Sequence, residues 1–282
     1  MWVWATIVSA ILLGLYDVAK KQSLKNNSVL YILFFSTLFS TLFLSPWLKP
    51  GPVNDHLALV VKAVLVTSSW ISGLAALKLL PLTTASTIKA SRPVFVLLFS
   101  ILLFREHLNA AQWIGSIIVL ASLFLLSRSS KKEGISFSSN KGILYISISV
   151  LTGVASALYD KHIMSGLEPL FVQSWANLYI TILMGICLGY QKLTDKEGFQ
   201  KFQWDWMIPV IAVCITIADF MYFYALTLDG AMLSIISMIR RSSVIVPFLF
   251  GALFFHEKNI KGKAIDLLIL LAGMVIIVFG SI

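Results

Sequence analysis

The chain has 282 residues, 58% of them hydrophobic and only 12% charged, with a mean hydropathy of +0.89. Soluble domains carry roughly a quarter of their residues as charged side chains, so this composition excludes one. The formal charge of +9 raises nucleic acid as a partner, but the basic residues follow the alternation of short loops between apolar runs, the pattern of membrane topology, and no nucleic acid is expected.

Apolar runs of about 20 residues, each enough to span a bilayer, recur from end to end. Ten spans are predicted, at residues 3–20, 30–48, 57–79, 82–104, 111–127, 142–160, 168–190, 207–228, 231–255 and 262–281. Only Leu228, Asp229 and Gly230 separate the eighth from the ninth. Met1 is followed by Trp2 and Trp4 with no basic region, so the first span is expected to be retained rather than cleaved as a signal peptide. The longest connections, Arg128 to Lys141 and Gln191 to Asp205, are polar linkers too short to fold alone. The expectation is an all-α membrane protein embedded in the lipid bilayer, with no soluble domain.

Loops after spans one, three, five, seven and nine hold fourteen Lys and Arg, against Lys49, Arg105 and Lys161 on the other side. The positive-inside bias then puts both termini outside the cytoplasm of a multi-pass protein of the inner (plasma) membrane. Trp47, Trp113, Trp204 and Trp206 fall at predicted span ends, where an interfacial belt places them. Cys187 and Cys214 lie inside predicted helices without metal-ligand spacing and read as two buried thiols.

The two halves repeat each other. Leu15-Tyr16-Asp17 recurs as Leu158-Tyr159-Asp160, and IKASRPVFVLLFSILLFRE (residues 88–106) aligns with IRRSSVIVPFLFGALFFHE (residues 239–257). In that register Lys89 faces Arg240, Ser91 faces Ser242 and Glu106 faces Glu257, all at a spacing of 151. The halves are 1–127 and 142–282, on either side of a cytoplasmic linker at 128–141. Five spans is an odd number, so the second half enters the membrane from the opposite side. Inverted repeats place a binding site near the midplane and allow alternating access.

The five-plus-five arrangement and the Phe/Leu-rich spans ending in Arg105-Glu106 and His256-Glu257 resemble the drug/metabolite transporter superfamily, with its EamA-type domains, over essentially the whole chain. Within it, Ile88-Lys89-Ala90-Ser91-Arg92-Pro93-Val94-Phe95 and Ile239-Arg240-Arg241-Ser242-Ser243-Val244-Ile245-Val246 are similar to the cationic motifs of the plastid triose-phosphate/phosphate translocators. That resemblance implies that Lys89, Arg240 and Arg241 hold a substrate phosphate, and that a tyrosine of the eighth span, Tyr222 ahead of Tyr224, holds its organic part. Arg92 stands where those proteins carry an acid, and Arg240 replaces a lysine.

Independently of any family, charged groups at membrane depth are costly, about 2.5–3.5 kcal/mol each on insertion scales, and mark function or internal pairing. Lys89 and Arg92, three apart, share one face of the fourth span. Pro93 and Pro247 lack an N–H and are expected to open the helices beside the cations, leaving the carbonyls of Lys89 and Ser243 unpaired. The functional reading is an anion cage, in which the guanidinium forks bind phosphate or carboxylate and Lys89 acts as a point charge. Thr87, Ser91 and Ser242 are expected to add hydroxyls to it. Internal pairing is the competing reading. Asp219, mid-span in the eighth helix, is then the partner of Arg92 or of one of the arginine pair, while Asp17, Asp160 and Asp266 have lysines close by in sequence. A cation or proton path through Asp219 is a third.

No G-x-x-x-x-G-K-[ST] loop, no H-E-x-x-H and no cysteine cluster is present, so no metal, no cofactor and no enzymatic activity is expected. The sequence therefore predicts a secondary transporter of small anionic, phosphorylated metabolites that exchanges them for phosphate. Two alternatives stand beside it: an exporter of amino acids or other neutral or zwitterionic metabolites, and a non-transporting scaffold or lipid-handling protein. The oligomeric state, monomer or homodimer, is left open.

Overall fold

The computed structural model describes residues 2–92, 94–96, 98–99, 109–131, 137, 139–163, 167–194, 202–227, 239–254 and 259–280. Among them all regular structure is helical. The helices are α1 (Trp2–Ser23), α2 (Val29–Leu44), α3 (Val53–Leu79), α4 (Leu82–Ala90), α5 (Ala110–Lys131), α6 (Lys141–Ile163), α7 (Pro169–Thr194), α8 (Met207–Thr227), α9 (Ile245–Leu253) and α10 (Ile260–Phe279). Trp2–Ser23, Val29–Trp47, Val53–Leu79, Ala110–Ser130, Lys141–Asp160 and Pro169–Thr194 are long and apolar enough to cross a bilayer. Pro93, the break at Leu228, Asp229 and Gly230, and the span ends at Arg105-Glu106 and His256-Glu257 lie outside the described residues.

The helices turn apolar side chains outward and small polar ones toward each other. Ile117 and Phe124 of α5, Ile182 and Ile186 of α7 and Leu249 and Leu253 of α9 are exposed, as a lipid-facing surface requires, whereas Ser9, Ser40, Ser69, Ser149 and Thr181 are buried. Lipid tails are as apolar as leucine, so helices in a bilayer associate through close packing and interhelical hydrogen bonds. The Ser9 hydroxyl donates to the Ala218 carbonyl at 2.6 Å, joining α1 to α8. Ser69 and Ser149 each donate to the other's carbonyl, at 2.8 and 2.7 Å, joining α3 to α6. Asn177 donates to the Thr41 hydroxyl at 2.9 Å and ties α7 to α2. Gly115 and Gly273 bring α5 and α10 together, since a Cβ on either would stand within 2.9 Å of the other's carbonyl oxygen.

The packing has a two-fold pattern. α1 packs on α8, α3 on α6 and α5 on α10 most extensively; α2 packs on α7, α4 on α9, α2 on α8 and α3 on α7. Exchanging every helix for the one five places along turns this set of pairs into itself. The two five-helix halves therefore interlock rather than standing side by side, as two inverted repeats do.

Two predicted spans are interrupted, and at equivalent places. The fourth breaks after nine residues: Ser91 forms a turn, and helix resumes at residue 92. In the ninth, residues 239–241 are helical, Ser242–Val244 tighten into a 3-10 turn, and α9 follows. Ser91 and Ser242 are counterparts at the spacing of 151. Pro247 falls in the first turn of α9, where a missing N–H removes no helical bond.

Candidate functional site

A cavity of about 390 Å³ lies between α1, α3, α4, α6, α8 and the 3-10 turn, beside both helix breaks. Five cations reach its wall, Lys20 and Lys89 together with Arg92, Arg240 and Arg241, against the three carboxylates Asp17, Asp160 and Asp219. The helix breaks explain why charge concentrates here. Irregular backbone at membrane depth is tolerated only against protein or a water-filled cavity, and each break directly follows or flanks a cation.

The carboxylates are already engaged. Lys89 donates from Nζ to Asp17 Oδ1 at 3.2 Å, joining α4 to α1. Arg240 donates from Nη2 to Asp219 Oδ1, joining the ninth span to α8. Asp160 is paired with Lys62 of α3, which stands behind the cavity wall. That leaves Lys20, Arg92 and Arg241 on the wall with no carboxylate in ion-pair range among the described residues. Lys20 donates to the Tyr16 hydroxyl, with Nζ 3.8 Å from the Tyr16 ring centre and 5.3 Å from that of Trp70. Arg92 donates from Nη2 to the Ser149 carbonyl at 3.2 Å and to the Ser69 hydroxyl at 3.4 Å. The Nε atoms of Arg92 and Arg240 are buried with no acceptor. Tyr222 lies 4.2 Å below the Arg240 guanidinium, ring face toward the charge.

The cavity brings together six residues singled out from sequence: Lys89, Arg92, Arg240, Arg241, Tyr222 and Asp219. Three others lie off it. The Thr87 hydroxyl donates to the Thr83 carbonyl at 2.8 Å, Ser91 to Ile88 at 2.6 Å and Ser242 to Ile239 at 2.6 Å, each back into its own helix. Such back-bonding is the usual fate of a hydroxyl in an apolar helix. Ser69, Ser86, Ser149, Ser156 and Ser243 line the wall in their place. The acids also depart from expectation. Asp17 takes Lys89 rather than its sequence neighbours Lys20 and Lys21, and Lys21 instead caps α3 by donating to the carbonyls of Leu77 (2.5 Å) and Leu80 (2.8 Å). Asp160 takes Lys62. Asp266 is buried away from the cavity, and Lys263 donates to Thr83 at 3.0 Å. Cys214 is buried, but Cys187 is only partly so.

Lys20, Asp17 and Gly153 are among the wall residues that the sequence reading did not place in the site. The signal for two of them was present: Tyr16, Asp17 and Lys20 follow at helical spacing on one face of the first span. Gly153 carried none.

The family profile of the EamA-like transporters matches residues 1–128 and 140–279, in two segments that leave out the linker between the halves. An uncharacterized transporter of Archaeoglobus fulgidus is 24% identical over 188 residues, and the match spans 64% of this chain and 65% of that relative's length. A protein known from a crystal structure shares the fold, with a TM-score of 0.62 over 97% of this chain and 96% of the other at 16% identity. The interlocked helical halves, the apolar outer surface and the two-segment match agree, and the chain belongs to the EamA-like transporter family as a multi-pass α-helical membrane protein.

Proposed function

We propose that the protein carries small anionic metabolites, phosphorylated ones in particular, across the plasma membrane by alternating access, in exchange for phosphate. The observation that carries this is the charge imbalance of the cavity: five cations face three carboxylates, one of which is already matched by Lys62 from outside. Uncompensated cations in a water-filled pocket are tolerable; closing the pocket strips their water and raises their mutual repulsion. A divalent anion offsets both costs, so only the loaded carrier closes and crosses, and transport becomes exchange. The two buried Nε–H donors without acceptors, on Arg92 and Arg240, are the groups an oxyanion would satisfy. The resemblance of residues 88–95 and 239–246 to the phosphate translocators points the same way. The distribution of lysine and arginine over the loops supports an orientation with both termini outside the cytoplasm.

The direct test is uptake of labelled phosphate into proteoliposomes preloaded with unlabelled phosphate or left empty. Uptake into loaded vesicles alone, lost in Lys89→Ala and Arg240→Ala, is the expected result. Equal background in both would retire the phosphate reading.

One specific observation favours a second substrate class. Asp17 and Asp219 stand on the same wall as Arg241, so an amino group beside either aspartate and a carboxylate on Arg241 would seat a zwitterionic amino acid. Transport would then survive Lys89→Ala in weakened form, and phosphate would not compete.

A further inference from the structure

Arg92 is held unlike the other cations of the cavity. Its guanidinium rests on the backbone of α6, with Nη2 anchored on the Ser149 carbonyl and the Ser69 hydroxyl. The flat face lies against Gly153. A Cβ at Gly153 would stand 2.7 Å from Nη1 and nearer still to Cζ and Nη2. Three atoms of a rigid plane would be struck together, so the group cannot relieve the clash by swinging one flexible end; it has to leave its seat.

Arg92 also keeps its Nε–H buried and unpartnered while its Nη2 is fixed on protein, so the group is oriented with a donor left over. An unmet buried donor is costly, and an anion oxygen would meet it.

We infer that Gly153 is a positioning residue for the transported anion: by lacking a Cβ it seats Arg92 against α6 with one donor free, and so sets the preference of the cavity for doubly over singly charged anions. Moving Arg92 off its seat takes one uncompensated cation from the wall, and a divalent anion loses more by that than a monovalent one. The inference rests on the anion reading above, and its test separates the two.

The test uses purified full-length protein in four forms: wild type, Gly153→Ala, Arg92→Lys and the double variant. Equilibrium binding of labelled phosphate at pH 8, competed by sulfate or nitrate, is measured alongside thermal melting. Gly153→Ala is expected to weaken phosphate and sulfate binding by about tenfold or more, the loss of a charge-assisted contact, and to change nitrate competition little. It is expected to add no further loss to Arg92→Lys, because the slimmer amine clears a Cβ. Melting should follow the same rule, falling in the wild-type background and not in Arg92→Lys. An equal loss in both backgrounds would mean that the Cβ disturbs helix packing and would overturn the proposal, as would an equal effect on sulfate and nitrate. If the wild-type protein binds none of the three anions, the anion reading fails. The melting cycle then decides the seat alone: coupling keeps it and equal losses overturn it.

Discussion

The two broken spans differ in how they hold their cations. In the first half Lys89 is matched by Asp17 of α1 and Arg92, three residues on, is left over; in the second Arg240 is matched by Asp219 of α8 and Arg241, one residue on, is left over. Each break thus carries one compensated and one uncompensated charge; the compensated Lys89 and Arg240 are counterparts at the spacing of 151, whereas the uncompensated Arg92 and Arg241 are not. Both carboxylates come from the α1–α8 pair, whereas the equivalent pair α3–α6 supplies the already matched Lys62 and Asp160 and the glycine under Arg92. A two-fold scaffold therefore encloses a one-sided site. The matched cations bear on stability and the unmatched ones on ligand binding, and substitutions can pull those roles apart.

The largest effect is expected from Arg240→Ala, which strands Asp219. A fully buried pair broken from one side costs about 3–5 kcal/mol; with side chains 21% and 30% exposed, about 1–3 kcal/mol is expected here. Melting temperature and phosphate exchange should both collapse. An unaffected melting temperature would mean the pair contributes nothing to the fold. Asp17→Asn sharpens the comparison from the other side. It releases Lys89 into the cavity, so phosphate should bind about tenfold more tightly, as one added cation implies. Weaker binding in a saturation assay would show that Asp17 orients Lys89 rather than competing for it.

Arg241→Gln should separate function from stability. Phosphate affinity should fall about tenfold, while melting holds or rises, because removing an uncompensated cation relieves the fold. A fall in both would place Arg241 among the structural charges. The smallest effects belong to Thr87→Val, Ser91→Ala and Ser242→Ala, whose hydroxyls serve their own helices. Stability should stay within about 0.5 kcal/mol and uptake should be unchanged, and any sizeable loss would bring these groups back to the cavity.

The fold was legible because its signals are local and repeated: apolar runs of spanning length, and a register of 151 that aligns Lys89 with Arg240. Four of the five cations of the site were legible for the same reason, since a charge at membrane depth stands out against its apolar neighbours; Lys20, near a span end among other lysines, did not. Their partners were not. Asp17 has Lys20 and Lys21 within a turn of it, yet Lys21 is drawn to the open carbonyls at the end of α3 and Lys20 to the Tyr16 hydroxyl, which leaves Asp17 to Lys89, far along the chain. The hydroxyls misled in the opposite direction. Ser91 and Ser242 sit beside the cations in sequence, but helical back-bonding turns them away, while Ser69 and Ser149, on other spans, reach the wall. Gly153 could not be read at all, because its meaning is a missing Cβ opposite a side chain from another helix.

The central claim, that excess positive charge in the cavity holds a small anion, is tested most directly by equilibrium binding of labelled phosphate to the purified wild-type protein, with sulfate and a neutral amino acid as competitors. Saturable binding displaced by sulfate and not by the amino acid is the predicted result. No saturable binding, or displacement by the amino acid alone, would contradict it.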